Sequence, residues 1–185
     1  MIIVTSLRSA GEQVTETKAE RVISILSPDM AFPSFESVTG DAHLRLSFHD
    51  VGAASPRLSA PGAHDMMRLL TFIRAWERTS PLLIHCWAGI SRSTASAYIA
   101  TCLLQPERSE DDLAKALRHA SPSATPNPML IKLADEALGR DGRMRRAIND
   151  IGRGEDAFEG MPFVLQVGGA ACSFLQAVPD LLRTE

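Results

Sequence analysis

The sequence is poor in cysteine, tyrosine and tryptophan, with three, one and two of them among 185 residues. Three cysteines cannot form a fully paired disulfide framework. They fit a reducing compartment, where a thiol serves as packing, ligand or nucleophile. Neither sign of charge is in large excess, since 22% of residues are charged and the formal net charge is −3. That balance argues against a chain that coats nucleic acid or an anionic membrane. The start, MIIVTSLRSAGEQ, has no basic region before its short apolar run, which argues against a secretory leader. The long uncharged stretch, residues 160–179, is interrupted by glutamine, glycine and proline, and Asp180 follows. The expectation there is a buried strand and helix rather than a spanning helix.

What is present is ordinary for a folded domain. Hydrophobic residues make up 45% of the chain, and a chain of this size buries roughly 70% of its unfolded surface without a staple. Met1–Ser6, Arg21–Leu26, His43–Phe48 and Pro81–Ile84 read as strands, because they are β-branched and apolar, alternating, or wholly apolar. Glu12–Glu20 is polar and tolerates a helix, and His64–Arg78 carries apolar residues at helical spacing. Arg92–Leu104, Ser109–Ala120 and Met129–Leu138 read as helices, the second opened by a serine cap and acids, the third closed by Gly139. Strands alternating with helices early and helices clustering late predict an α/β fold with a mostly parallel central sheet flanked by helices. Residues 1–150 form the expected domain. Residues 151–185 are an extension packed on it, loosest over 151–160.

The chemistry gathers after the Pro81–Ile84 strand, in His85-Cys86-Trp87-Ala88-Gly89-Ile90-Ser91-Arg92-Ser93-Thr94. A loop between a strand end and a helix start can turn successive backbone N–H groups inward as an anion nest, and the helix dipole adds positive potential. Gly89 permits the tight turn. Arg92 can grip two phosphoryl oxygens as a fork. Cys86 sits at the bottom of that nest, where a helix N-terminus and a cation both favour a thiolate nucleophile. The leaving oxygen also needs a proton, and a second step needs a base to activate water. Asp50 follows the third strand, 36 positions before Cys86. Asp65, 21 positions before it, reads as a first-turn helix residue, and Asp41 precedes the strand.

These residues resemble the signature of the cysteine-based protein tyrosine phosphatases, His-Cys-x5-Arg-Ser/Thr, with every fixed position filled. The resemblance implies that Cys86 is the nucleophile and Arg92 the phosphate clamp. Trp87, Ala88, Gly89, Ile90 and Ser91 would line the phosphate loop. Ser93, with Thr94 as the alternative, would supply the hydroxyl that helps the thiolate leave, and His85 would orient the loop. It further implies that Asp50 is the acid and base. Asn127, in Pro126-Asn127 some 41 positions after Cys86, resembles the element that supports the loop in dual-specificity phosphatases; a plain turn is the alternative. The resemblance spans roughly residues 20–140. The chain lacks a Trp-Pro-Asp acid loop, which points to the compact, dual-specificity-like branch, and the loop interior carries no lysine for a poly-anionic head group.

The implied activity is metal-independent hydrolysis of phosphomonoesters on a phosphorylated protein or peptide, with no cofactor, nucleic acid or membrane partner, in the cytoplasm. The alternatives are a phosphoinositide or RNA 5′-phosphate substrate, an arsenate reductase or sulfurtransferase on a similar loop, and a phosphoprotein-binding adaptor. Three further features read as structural. Arg140, Arg143, Arg145, Arg146 and Arg153, interspersed with acids, read as a solvated helix face. Cys102 and Cys172 read as packing residues. His49, beside Asp50, reads as a surface histidine with a neighbour of the site as the alternative, and Trp87 as either a wall beside an aromatic substrate or a core residue.

Overall fold

The computed structural model describes residues 1–53 and 56–168. Strands β1 (Ile2–Ser6), β2 (Arg21–Leu26), β3 (His43–Ser47), β4 (Leu82–Cys86) and β5 (Phe163–Leu165) form one sheet in the order β3-β2-β4-β1-β5. The first four are parallel and β5 runs antiparallel to β1. Helices α1 (Leu7–Thr17), α2 (Ala63–Arg74), α3 (Arg92–Leu104), α4 (Glu110–Ala120), α5 (Pro128–Ala137) and α6 (Arg143–Asp150) complete the fold.

Strand alternation divides the core in two. Ile3, Val22 and Leu83 face α1, where they pack with Ala10, Val14 and Ala19. Ile2, Val4, Ile23, Ile25, Leu82, Ile84 and Cys86 face the other way, into the larger core built with α2–α6. The centre of that core is α3, buried from Arg92 to Cys102. Parallel strands send their carboxyl ends to one edge, where open α/β sheets place their ligands. The loop from β4 to α3 therefore opens at that edge.

Most elements fall where the pattern places them, and the differences have local causes. Helix α1 starts at Leu7, earlier than the polar stretch suggested, because the Ser6 hydroxyl accepts from Ser9 N at 3.3 Å and caps it. Gly139 ends α5 with φ +61°. The strand expected in residues 160–179 is β5, an edge strand whose Phe163 and Leu165 enter the larger core; the helix expected after it lies outside the described residues. Part of the arginine cluster corrects the solvated reading. Arg140 Nη1 and Arg143 Nε lie 3.1 and 3.2 Å from Glu110 Oε1, and Arg140 Nη2 donates to Cys102 O at 2.9 Å. These arginines tie α6 and its approach to α3 and α4. Burial raises the Glu110 carboxyl, but a backbone hydrogen bond and the two arginines outweigh it and lower it below the usual range.

Candidate active site

Residues 86–92 turn from β4 into α3, and four N–H donors from three segments hold the turn from outside. Leu7 N donates to Trp87 O (3.1 Å), Gly160 N to Ala88 O (2.8 Å), Thr125 N to Ile90 O (2.9 Å) and Asn127 N to Ser91 O (3.3 Å). With those carbonyls fixed outward, the loop presents its N–H side to the interior. Thr94 Oγ1 donates to Ile90 O and Ser91 O at 2.5 and 2.9 Å, locking the loop onto the first turn of α3. Gly89 has φ +74°, and a Cβ there would stand 2.9 Å from Thr5 C and Ser6 N. Only glycine fits on both counts.

The Cys86 thiol lies at the base of this loop, 2% exposed. Gly89 N donates to Cys86 Sγ at 3.3 Å, and Ser93 Oγ lies 3.2 Å from it. Of the two hydroxyls considered from the sequence, Ser93 is the one brought to the thiol; Thr94 serves the loop carbonyls. Arg92, 4% exposed, donates from Nη1 to Phe48 O at 2.8 Å and to Ser27 Oγ at 3.4 Å. Among the described residues its buried Nε has no hydrogen-bond partner, and Asp50 Oδ2 lies 3.6 Å away. A buried guanidinium N–H left over at the edge of an N–H-lined loop suits an oxyanion.

Asp50 stands at the rim. Its Oδ1 accepts from Ser91 Oγ at 2.8 Å and from Asn127 Nδ2 at 2.7 Å. Asn127 Nδ2 also donates to Val51 O, while Oδ1 accepts from Met129 N and Leu130 N and caps α5. Asn127 thus reaches the phosphate loop through its main chain and the aspartate through its side chain. Asp65 accepts from Gly62 N at 3.0 Å as a helix-start residue, away from the loop.

His85 lies behind the loop on the α1 face. Ser24 Oγ is 2.6 Å from His85 Nε2 and 2.7 Å from His43 Nε2, and the Phe35 ring stands against both imidazoles. Burial lowers His85 to about 4; a hydrogen bond to Cys86 O opposes this and His43 adds to it. Burial, then Arg45, lowers His43 to about 4. Both rings are neutral at pH 7 and share one hydroxyl. Burial pushes the Cys102 thiol up to about 12, which keeps it protonated and suits a packing residue; Cys172 lies outside the described residues. Among the described residues, both cysteines are free, and no group of three or more His, Cys, Asp or Glu side chains is arranged to hold a metal ion.

The structure also settles two residues left as surface or open readings and brings in a segment that sequence reading missed. His49 N donates to Ser59 O at 2.8 Å and His49 Nδ1 accepts from Ser59 N at 3.0 Å. It pins the loop beside Asp50 rather than standing free on the surface. Residues 158–160 dock on the phosphate loop through Gly160, with Glu159 accepting from Ser6 Oγ. Nothing in the local pattern of residues 151–160 signals that contact. Trp87, left open between wall and core, is 48% exposed and meets the Phe158 ring edge-on at 5.5 Å.

A family model described as protein-tyrosine phosphatase matches residues 55–124, a span that includes Cys86 and Arg92. No curated protein matches the chain. Solved structures do. DUSP15 superposes with a TM-score of 0.57 at 23% identity, covering 80% of this chain and 90% of its own. Human DUSP28 gives 0.56 at 25%, covering 76% and 94%. The human tyrosine phosphatase-like serine/threonine/tyrosine-interacting protein gives 0.59 at 16%, covering 76% and 92%. Residues 55–124 thus match the protein-tyrosine phosphatase family, and the fold of the chain is that of these phosphatase structures. Among the structures that share the fold is a mouse putative dual specificity phosphatase.

Proposed function

We propose that the chain hydrolyses phosphomonoesters on proteins, phosphotyrosine first and phosphoserine or phosphothreonine second, through a phosphocysteine intermediate and without a metal. The observation that carries this reading is the phosphate-sized turn with its carbonyls tied outward, Cys86 at its base and the spare Nε of Arg92 at its edge. In the first step the Cys86 thiolate attacks phosphorus, an S–P bond forms and the P–O bond to the substrate breaks. Arg92 and the loop N–H groups carry the charge on the equatorial oxygens. Protonated Asp50 gives its proton to the leaving oxygen. In the second step Asp50, now a carboxylate, takes a proton from water as that water attacks phosphorus. The S–P bond breaks, the Ser93 hydroxyl supports the departing thiolate, and inorganic phosphate leaves.

A phosphorylated protein or peptide suits this site better than a phosphoinositide, because the loop interior from Trp87 to Ser91 holds no cation besides the clamp. No helix among the described residues is long and apolar enough to cross a membrane. A thiolate nucleophile fits the reducing cytoplasm. Residues 151–168 act as part of the phosphatase unit rather than as a separate domain; the rest of the expected extension lies outside the described residues.

The test is hydrolysis of p-nitrophenyl phosphate and a phosphotyrosyl peptide in chelator. Wild-type protein turns both over, and Cys86→Ser loses activity by about a thousandfold or more. Binding of the phosphopeptide without turnover would replace this reading with an adaptor. Turnover of phosphoinositides or RNA 5′ ends in preference to peptides would replace its substrate.

A further inference from the structure

Of the five large apolar side chains exposed among the described residues, Leu58 and Met67 stand elsewhere and three lie together. Trp87 (48% exposed), Phe158 (81%) and Met161 (76%) belong to the phosphate loop and to the segment docked on it. The segment is fixed there. Gly160 N holds Ala88 O, a Cβ on Gly160 would stand 2.9 Å from Gly89 O, and Glu159 bonds Ser6 and lies 4.0 Å from Arg8 Nη1. Between these parts lies a cleft of about 260 Å³ lined by Leu7, Arg8, Trp87, Ala88, Phe158 and Glu159.

An exposed tryptophan and phenylalanine held edge-on make a stiff wall that loses little entropy when a ligand covers it. Trp87 directly follows Cys86 in the chain, so the cleft borders the loop that holds the thiol. Glu155, Asp156 and Glu159 surround Phe158 in sequence; an anionic lipid surface meets that acidity unfavourably. The one cation lining the cleft is Arg8, its side chain 87% exposed.

We propose that this cleft is a specificity subsite that takes a large apolar side chain flanking the phosphorylated residue of a peptide substrate. The proposal rests on the phosphatase reading above. It assigns to residues 158–161, which lie outside the family match, a part in choosing the substrate.

The experiment compares kcat/KM for phosphotyrosyl peptides that are identical except for Phe, Leu or Gly at the positions flanking phosphotyrosine. Wild-type protein is expected to favour an apolar flank by about tenfold at one of those positions, the effect of partly burying one such side chain. Within Phe158→Ala the ratio falls towards one, and Phe158→Leu restores most of it. Each ratio is internal to one protein, so a variant with lower total activity still reports. Hydrolysis of p-nitrophenyl phosphate with no flank preference, or a preference that survives Phe158→Ala, overturns the subsite and leaves the phosphatase reading standing. No hydrolysis of any phosphoester overturns both. Sedimentation with phosphatidylserine vesicles that is lost in Phe158→Ala would assign the patch to a membrane and overturn the peptide proposal.

Discussion

Asp50 is gripped from three sides, by the Ser91 hydroxyl, the Asn127 amide and the Arg92 guanidinium. This arrangement holds a carboxyl at the rim of the β4–α3 loop while leaving it 36% exposed to solvent. If Asp50 delivers the proton, Asp50→Asn lowers kcat by about a hundredfold, flattens the pH–rate profile and leaves KM nearly unchanged; steady-state profiles across pH check it. Asn127→Ala removes one grip and the cap of α5 together. It is expected to lower kcat by about tenfold and to cost about 1 kcal/mol of stability, read by kinetics and denaturant unfolding. Ser93→Ala slows the second step in preference to the first, so a burst of product precedes a slower steady state. At this scale the sequence was informative for Cys86, Arg92 and Ser93, because they are fixed by spacing within one turn. Asp50 and Asn127 could be nominated only by resemblance, since their meeting depends on how β3 and α5 pack, and residue spacing does not encode that packing.

At the scale of elements, the phosphate loop is shaped by its neighbours as much as by itself. Four N–H donors from three segments orient its carbonyls, and two of those donors, Leu7 and Gly160, come from opposite ends of the described chain. Gly89→Ala puts a Cβ 2.9 Å from the Thr5–Ser6 backbone at a φ that favours glycine. The loop must deform, at a cost of about 1–3 kcal/mol. Binding of vanadate or inorganic phosphate weakens sharply while the circular dichroism spectrum stays native. The strand before the loop and the helix after it were legible as an apolar run followed by a helix-forming one. The docking of residues 158–160 was not, because its contacts are backbone-mediated and a glycine carries no chemical signature of a partner.

At the scale of the whole molecule, the sheet places His85, Ser24 and His43 side by side on its α1 face, one from each of three adjacent strands. Both histidines are lowered from 6.5 to about 4 by burial first. The unfolded chain takes up their protons as pH falls through 6.5, whereas the native protein resists until about 4. The unfolded state therefore binds more protons between those values, and stability falls as pH drops across that window. Protonating His85 alone opposes folding by about 3 kcal/mol at the acid end. Melting temperatures from pH 7 to 4 should decline, and His43→Gln should soften the decline; a flat profile would contradict the neutral pair. The parallel architecture itself was readable from the order of strands and helices. The histidine pair was not, since His43 and His85 lie 42 positions apart and meet only because β2 lies between β3 and β4.

The central claim is that phosphate passes through Cys86. Rapid acid quench of the chelated protein with a phosphotyrosyl peptide, followed by peptide mass spectrometry, tests it most directly. Phosphate is expected on the peptide that holds Cys86, enriched in Ser93→Ala and missing in Cys86→Ser. Steady turnover by Cys86→Ser, or a phosphoryl group trapped on another residue, would contradict it.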